Sequence, residues 1–326
     1  MIPSLPSFDP IEKNLGKQGA KIVLTASATE MSDFYNNQFF AFVGGFSKGL
    51  IPLWLPRKRL YPPVESNPEG TAKYAPYGLR KVEAILLKNG FAESDVAVVH
   101  PYHLNAFVGS NTKVVGISTM DPLGMGYVSK TYSSLVGGGE PMNAIEFRKL
   151  MKHGSLQRYK PKIIVGGAGA WQLEYKNVMK PYGIDCVVIG EGEKAITELF
   201  FKALNGESLP QAVHVETSPM SEEIPSIKHA SIHGCVEISR GARTSEGFFR
   251  PFNRLQAMTL PIFLASKASK ACLDSNWLSP ATNSTSKSSP SSLSSKGSTS
   301  FFSFTFAEAS SWPNGKPSAS KRKSDW

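Results

Sequence analysis

Cysteine is scarce. Cys186, Cys235 and Cys272 are the 3 in 326 residues, and they lie far apart. This excludes a disulfide framework and any close-spaced cysteine metal motif, and it predicts a reducing, cytoplasmic setting. Charged residues are also few, at 19% of the chain. The opening M-I-P-S-L-P-S-F-D-P has neither the basic nor the apolar region of a signal peptide. No apolar run is long enough for a bilayer. Residues 39–55 come nearest, but Gly44, Gly45, Lys48, Gly49 and Pro52 break them, so they read as a buried loop or insertion. P-loop, G-x-S-x-G and H-E-x-x-H motifs are absent, and no G-x-G-x-x-G follows the first expected strand. These absences remove the sequence basis for P-loop nucleotide hydrolysis, serine hydrolysis and zinc proteolysis, and rank a dinucleotide-dependent oxidoreductase or transferase last.

What the chain does have is a repeated design, an apolar run that ends in glycine and polar residues. It occurs at residues 114–121 (V-V-G-I-S-T-M-D), 162–169 (K-I-I-V-G-G-A-G) and 184–193 (I-D-C-V-V-I-G-E-G-E). Each reads as a buried strand delivering a loop to a sheet edge. Residues 21–25 and 95–100 add two more strands. Helical periodicity lies between them, over residues 76–89 and 144–152, from Trp171, and after Glu193. Gly90 and Gly206 should stop two of these helices, Asn143 should cap one, and Gly154 should end it. Five alternations of strand and helix predict an α/β, Rossmann-like (flavodoxin-like) parallel sheet flanked by helices, with order 2-1-3-4-5 and right-handed connections. Residues 211–225 read as a linker or small β piece, and residues 231–241 as the first strand and exit loop of a second domain.

In such a sheet the ligand crevice lies at the carboxyl ends of the strands. The candidate ligand-binding residues are therefore Thr119, Asp121, Gly124 and Gly126 after the third strand, and Gly166, Gly167 and Gly169 after the fourth. Gly190, Glu191, Gly192 and Glu193 follow the fifth. Glycine admits close approach of backbone to ligand, and backbone N–H groups cradle anions. The two glutamates have a second reading, because carboxylates in a first helical turn complement the helix dipole. His100 and His103, in H-P-Y-H, read as strand-end histidines rather than metal ligands. Cys186, inside an apolar run, reads as a buried inert thiol. Residues 34–76, with the basic knot Arg57-Lys58-Arg59, form an elaborated surface loop or a lid.

Taken together, V-V-G-I-S, I-I-V-G-G, D-C-V-V-I-G-E-G-E and V-E-I-S-R-G resemble the cobalamin-binding radical SAM family over residues 21–241. The resemblance implies a Rossmann-like cobalamin domain followed by a barrel. A C-x-x-x-C-x-x-C motif at the end of the barrel's first strand would hold a [4Fe–4S] cluster that reduces S-adenosylmethionine. This chain has Ala242, Glu246 and Phe249 at the three cysteine positions. Cluster and S-adenosylmethionine binding are therefore transferred to no residue, and no catalytic or metal-binding residue is assigned. The D-x-H-x-x-G motif that supplies cobalt's lower ligand in many relatives is also missing. Asp121-x-Leu123-x-x-Gly126 has its outer residues but follows the wrong strand, while some family members lack the histidine altogether.

The implied organisation is an N-terminal arm (residues 1–20), a cobalamin-binding-type domain (21–206), a linker and truncated barrel start (207–241), and a low-complexity tail (242–326). The tail is serine-rich and ends in S-K-R-K-S-D-W, a composition expected to stay disordered. It reads either as a natural tail or as the product of a reading frame lost near Ala242. Part of the formal net charge of +10 sits there, so the charge favours acidic partners in general without a specific nucleic-acid signal. The expected function is that of a truncated or frame-shifted radical SAM protein that retains a corrinoid site and has no radical chemistry of its own. A separate chain would then supply the barrel. The alternative is a non-catalytic module that binds a nucleotide-like molecule or serves for docking.

Overall fold

The computed structural model describes residues 19–49, 57–135, 138–215 and 223–235, all within one compact unit. The cysteine-motif positions, Cys272, the tail and residues 236–241 of the expected strand and exit loop lie outside the described residues.

Six strands form, five of them at the expected apolar runs: β1 (Ile22–Ala26), β2 (Val96–Val98), β3 (Val114–Ser118), β4 (Lys162–Gly166), β5 (Cys186–Gly190) and, in the stretch expected as a linker or small β piece, β6 (Ala212–Val215). All pair in parallel, in the order β2-β1-β3-β4-β5-β6. The first five keep the expected flavodoxin-like order, and the small β piece becomes a sixth, half-exposed edge strand. The helices are α1 (Arg57–Leu60), α2 (Tyr77–Lys88), α3 (Leu104–Phe107), α4 (Tyr127–Leu135), α5 (Met142–Met151), α6 (Gly154–Tyr159), α7 (Trp171–Tyr175), α8 (Met179–Tyr182) and α9 (Glu193–Leu204).

Strand periodicity sorts the core into two layers. On one face Ile22, Leu24, Val114, Ile164, Cys186 and Val188 meet α2 through Leu79 and Leu86, and α9 through Leu199, Phe200 and Ala203. On the other, Val23, Val115, Ile163, Val165 and Val187 meet Leu104 of α3, Phe147 and Leu150 of α5, Leu156 of α6, Leu173 of α7 and Met179 of α8. Gly116 makes room for α9. A Cβ there would stand 2.8 Å from the Phe200 ring and 2.7 Å from Leu24.

The location of α9 overturns one expectation. It shares a face with α2, yet β6 is added on the flank opposite β2. The β5–α9–β6 connection therefore has the opposite hand to every other connection in this sheet, against the usual preference. Burial accounts for it. Among the described residues no other helix on the face carrying α2 covers β3, β4 and β5, and the apolar side of α9 provides that cover.

Four local expectations are also corrected. Asn143 lies inside α5, whose N-cap is Pro141. Gly154 opens α6 rather than only ending α5, because the His153 ring accepts from Ser155 N–H at 3.3 Å and caps a new helix at once. A two-turn helix, α4, lies between β3 and α5, outside the expected helical stretches. Ser231 makes only an isolated parallel bridge to Ala75, after which Ile232–Gly234 is a 3-10 turn. Cys235 thus stands exposed after that turn rather than inside a strand. Gly90 and Gly206 follow α2 and α9 at φ of +91° and +75°, as expected of helix-ending glycines. Cys186 is fully buried, and loss of solvation pushes its thiol up to about 11, in keeping with an inert side chain.

Candidate functional site

The topological switch falls between β1 and β3, because the chain leaves β1 for one flank and builds the rest of the sheet on the other. An open parallel sheet binds its ligands at that point. The residues that meet there are the β1 exit (Ser27, Ala28, Thr29 and Glu30), the β3 exit from Thr119, and the β4 exit from Gly166.

The β3 and β4 exits are stitched together. Thr119 N–H donates to the Gly166 carbonyl at 2.8 Å, and Gly169 N–H donates to the Thr119 carbonyl at 3.0 Å. Two glycines are required by this contact. A Cβ on Gly167, which sits at φ +100°, would lie 2.5 Å from the Thr119 carbonyl oxygen. One on Gly169 would lie 2.2 Å from that of Met120. Gly166 is under no such constraint, its nearest neighbour being 3.9 Å away.

Asp121 organises the next turn. Its carboxylate is buried and accepts from Gly126 N–H at 2.8 Å, from the Gln172 amide at 2.8 Å and from the Ser129 hydroxyl. All three donors belong to the protein, so Asp121 shapes the loop and ties α4 to α7. Gly124 packs against Pro141, and Gly126 against Asp121 itself. The third predicted group stands apart. Gly190 (φ +97°) abuts the Val215 carbonyl of β6, Gly192 caps α9, and Glu193 occupies its first turn. Thr119 through Gly126 and Gly166 through Gly169 therefore form one rim, and Gly190–Glu193 continues along the sheet edge beyond β4.

Glu30 is the residue that sequence reasoning missed. It follows β1 in a tight turn and reaches across the switch point to β3. Its Oε1 accepts from Ser27 Oγ (3.2 Å), Thr119 Oγ1 (3.3 Å) and Met120 N–H (3.2 Å). Among the described residues no cation pairs with it, and Oε2 has no partner. Burial outweighs the three hydrogen bonds and, with some help from the Asp121 charge, raises its carboxyl to about 7. The polar run S-A-T-E after the first strand was the available signal, but only the fold places it opposite Thr119.

Exposed apolar side chains stand beside these exits: Met120, Tyr127 and Trp171. On the other side of β1, a cavity of about 400 Å3 opens between Ala28, Pro101, Tyr102 and α5. Glu146 there accepts from Tyr61 Oη (2.9 Å) and Lys149 Nζ (2.7 Å). Burial holds His153, also on the cavity wall, below its ordinary pKa. His100 caps the turn after β2, and His103 contacts Ser66 Oγ at 3.3 Å, as expected of strand-end histidines. The strap after β1 packs Phe34 and Val43 with Ala28, Met142 and Ile145, beside the β1 exit. No helix among the described residues is long and apolar enough to cross a membrane. No protein-family model, curated protein or solved structure matches this chain.

Proposed function

We propose that the sheet domain is a corrinoid-binding module of the cobalamin-binding radical SAM type, carried by a chain with no radical chemistry of its own. The observation that supports this most is the switch-point rim. There the β1, β3 and β4 exits join into one floor of backbone and glycine, with Met120, Tyr127 and Trp171 exposed beside it. A large flat ligand with an amide-rich edge needs such a floor, broad and partly apolar with a few fixed polar groups. Thr119 and the Gly166–Gly169 turn would lie under the ring, and Gly190–Glu193 would meet its periphery. A separate barrel chain would have to bring the cluster and S-adenosylmethionine, since Ala242, Glu246 and Phe249 offer iron no thiolate.

A second reading, a nucleotide-binding or docking module, is favoured by the composition of the β1 exit. Ser27, Ala28, Thr29 and Glu30 include no imidazole to ligate cobalt. Equilibrium dialysis of the full chain against cyanocobalamin, with and without excess ATP, separates the two. Retention of the coloured corrinoid in the protein compartment, undiminished by ATP, is expected. No retention, or full displacement by ATP, would favour the second reading. Anaerobic reconstitution with iron and sulfide should leave no [4Fe–4S] absorption, and a stoichiometric cluster would overturn that part of the proposal.

A further inference from the structure

We propose that Glu30 makes ligand capture at the switch-point rim proton-dependent, with its protonated Oε2 donating a hydrogen bond to a carbonyl oxygen on the ligand's edge. This inference rests on the corrinoid reading and adds a residue and a regulation to it. The geometry carries it. Oε1 already accepts three donors from β1 and β3, so it has little capacity left for a ligand. Oε2 is the unengaged atom of a side chain that retains some exposure at the rim. A carboxylic acid with one oxygen saturated as an acceptor carries its proton on the other, and there it is a donor.

The surroundings favour the neutral form. Asp121 is the charged group that bears on Glu30 from the β3 exit, and it raises the carboxyl's proton affinity. From α5, Glu146, Lys149 and His153 face the neighbouring cavity that Ala28 shares, but Lys149 pairs with Glu146 rather than with Glu30. The Ser27, Thr119 and Met120 donors pull the other way without restoring the ordinary value near 4.5. At neutral pH the free site is thus close to half protonated. A ligand carbonyl accepting from Oε2 stabilises the acid form alone. Above neutrality, capture must take one proton from solvent onto Oε2, and affinity falls as that proton becomes scarce. Corrinoid side-chain amides supply carbonyl oxygens of this kind around the ring.

The test is the affinity of the full chain for cyanocobalamin, measured by equilibrium dialysis at about pH 6 and about pH 8, for the wild type and Glu30→Gln. Glutamine mimics the protonated acid, with an oxygen to accept the three protein donors and an amide N–H2 to donate to the ligand. The wild type should bind about tenfold more weakly at the higher pH, as a single group titrating near 7 requires. Glu30→Gln should bind equally at both, at the wild type's acid-side affinity. Binding by the wild type with no pH dependence, or a slope in Glu30→Gln equal to that of the wild type, overturns the inference and leaves the corrinoid reading standing. No binding by either protein at either pH overturns the corrinoid reading and this inference with it.

Discussion

Two glutamates drawn away from solvent in this molecule have opposite fates. Glu30, at the sheet's ligand rim, is held by neutral donors only, and its carboxyl rises to about 7. Glu83, on α2, is the more buried of the two by surface exposure. Burial pushes it upward too, but the hydrogen bond from His229 and the charge of Arg80 outweigh that, and its carboxyl falls below the usual value. The Glu83 site is a closed clasp. Arg80, 2% exposed, donates to Glu83 (2.9 Å) and to the carbonyls of Ala72 (2.7 Å), Lys73 (3.2 Å) and Ala230 (3.1 Å). His229 adds a contact to Glu83 at 3.1 Å, while Lys81 and Lys88 hold the carbonyls of Pro225 and Glu223. The clasp fastens residues 223–235 onto α2 and engages both carboxylate oxygens of Glu83, one with Arg80 and one with His229. The contrast shows that burial sets neither role. A buried acid with cations around it is structural, whereas one with a spare oxygen and no cation is a candidate for ligand chemistry.

The sharpest way to break this comparison is to remove the guanidinium. Arg80→Met leaves Glu83 short of its cation and three carbonyls short of a donor, and should lower unfolding stability by about 3–5 kcal/mol in a urea titration. The double variant Arg80→Met/Glu83→Met should recover part of that loss, because no buried charge is then left unpaired. A loss below about 1 kcal/mol for the single variant would show that the clasp is not closed.

Glu30→Gln should act with the opposite sign. The folded acid holds its proton up to about pH 7, whereas the unfolded one releases it near 4.5, so folding takes up a proton between those values. Wild-type stability should therefore fall as pH rises through that window and level off above it. Glu30→Gln should be more stable than the wild type at about pH 8, by at most about 3 kcal/mol, and no more stable at about pH 4. Equal stabilities at the higher pH would mean that solvation at Glu30 is not lost.

The smallest effect belongs to His229. Its contact with Glu83 raises its pKa, so its contribution is complete below the ordinary value of 6.5 and lost as pH rises through the higher folded value. The ring is half-exposed, which screens the pair. His229→Ala should cost less than about 1 kcal/mol at about pH 5.5, and less again at about pH 9. A loss that grew with pH would reverse the assignment of charge in the clasp.

The sites differ in how far they could be read from the chain. The rim's glycines announced themselves, because a glycine after an apolar run marks a strand exit wherever it occurs. Why Gly167 and Gly169 must be glycine, and Gly166 need not be, depended on Thr119 and Met120 arriving from another strand. Asp121 is a candidate ligand contact by its place after the third strand, yet its carboxylate is occupied by Gly126, Ser129 and Gln172. The acid with a free oxygen, Glu30, reads in the sequence only as part of a small, polar strand-end loop, because its partners Thr119 and Met120 arrive from another strand.

Local chemistry was enough for the strands, their parallel sense, the order of the first five and the burial of Cys186. Apolar runs broken by glycine and separated by helical periods leave a chain few other ways to hide its backbone. Tertiary structure alone decided the hand of the β5–α9–β6 connection, the Arg80 clasp and the state of Glu30. Each depends on groups far apart in sequence: Thr119 is 89 residues from Glu30, and Ala230 is 150 from Arg80. Desolvation and charge are set by whatever the fold brings near, and no short stretch of residues carries that information.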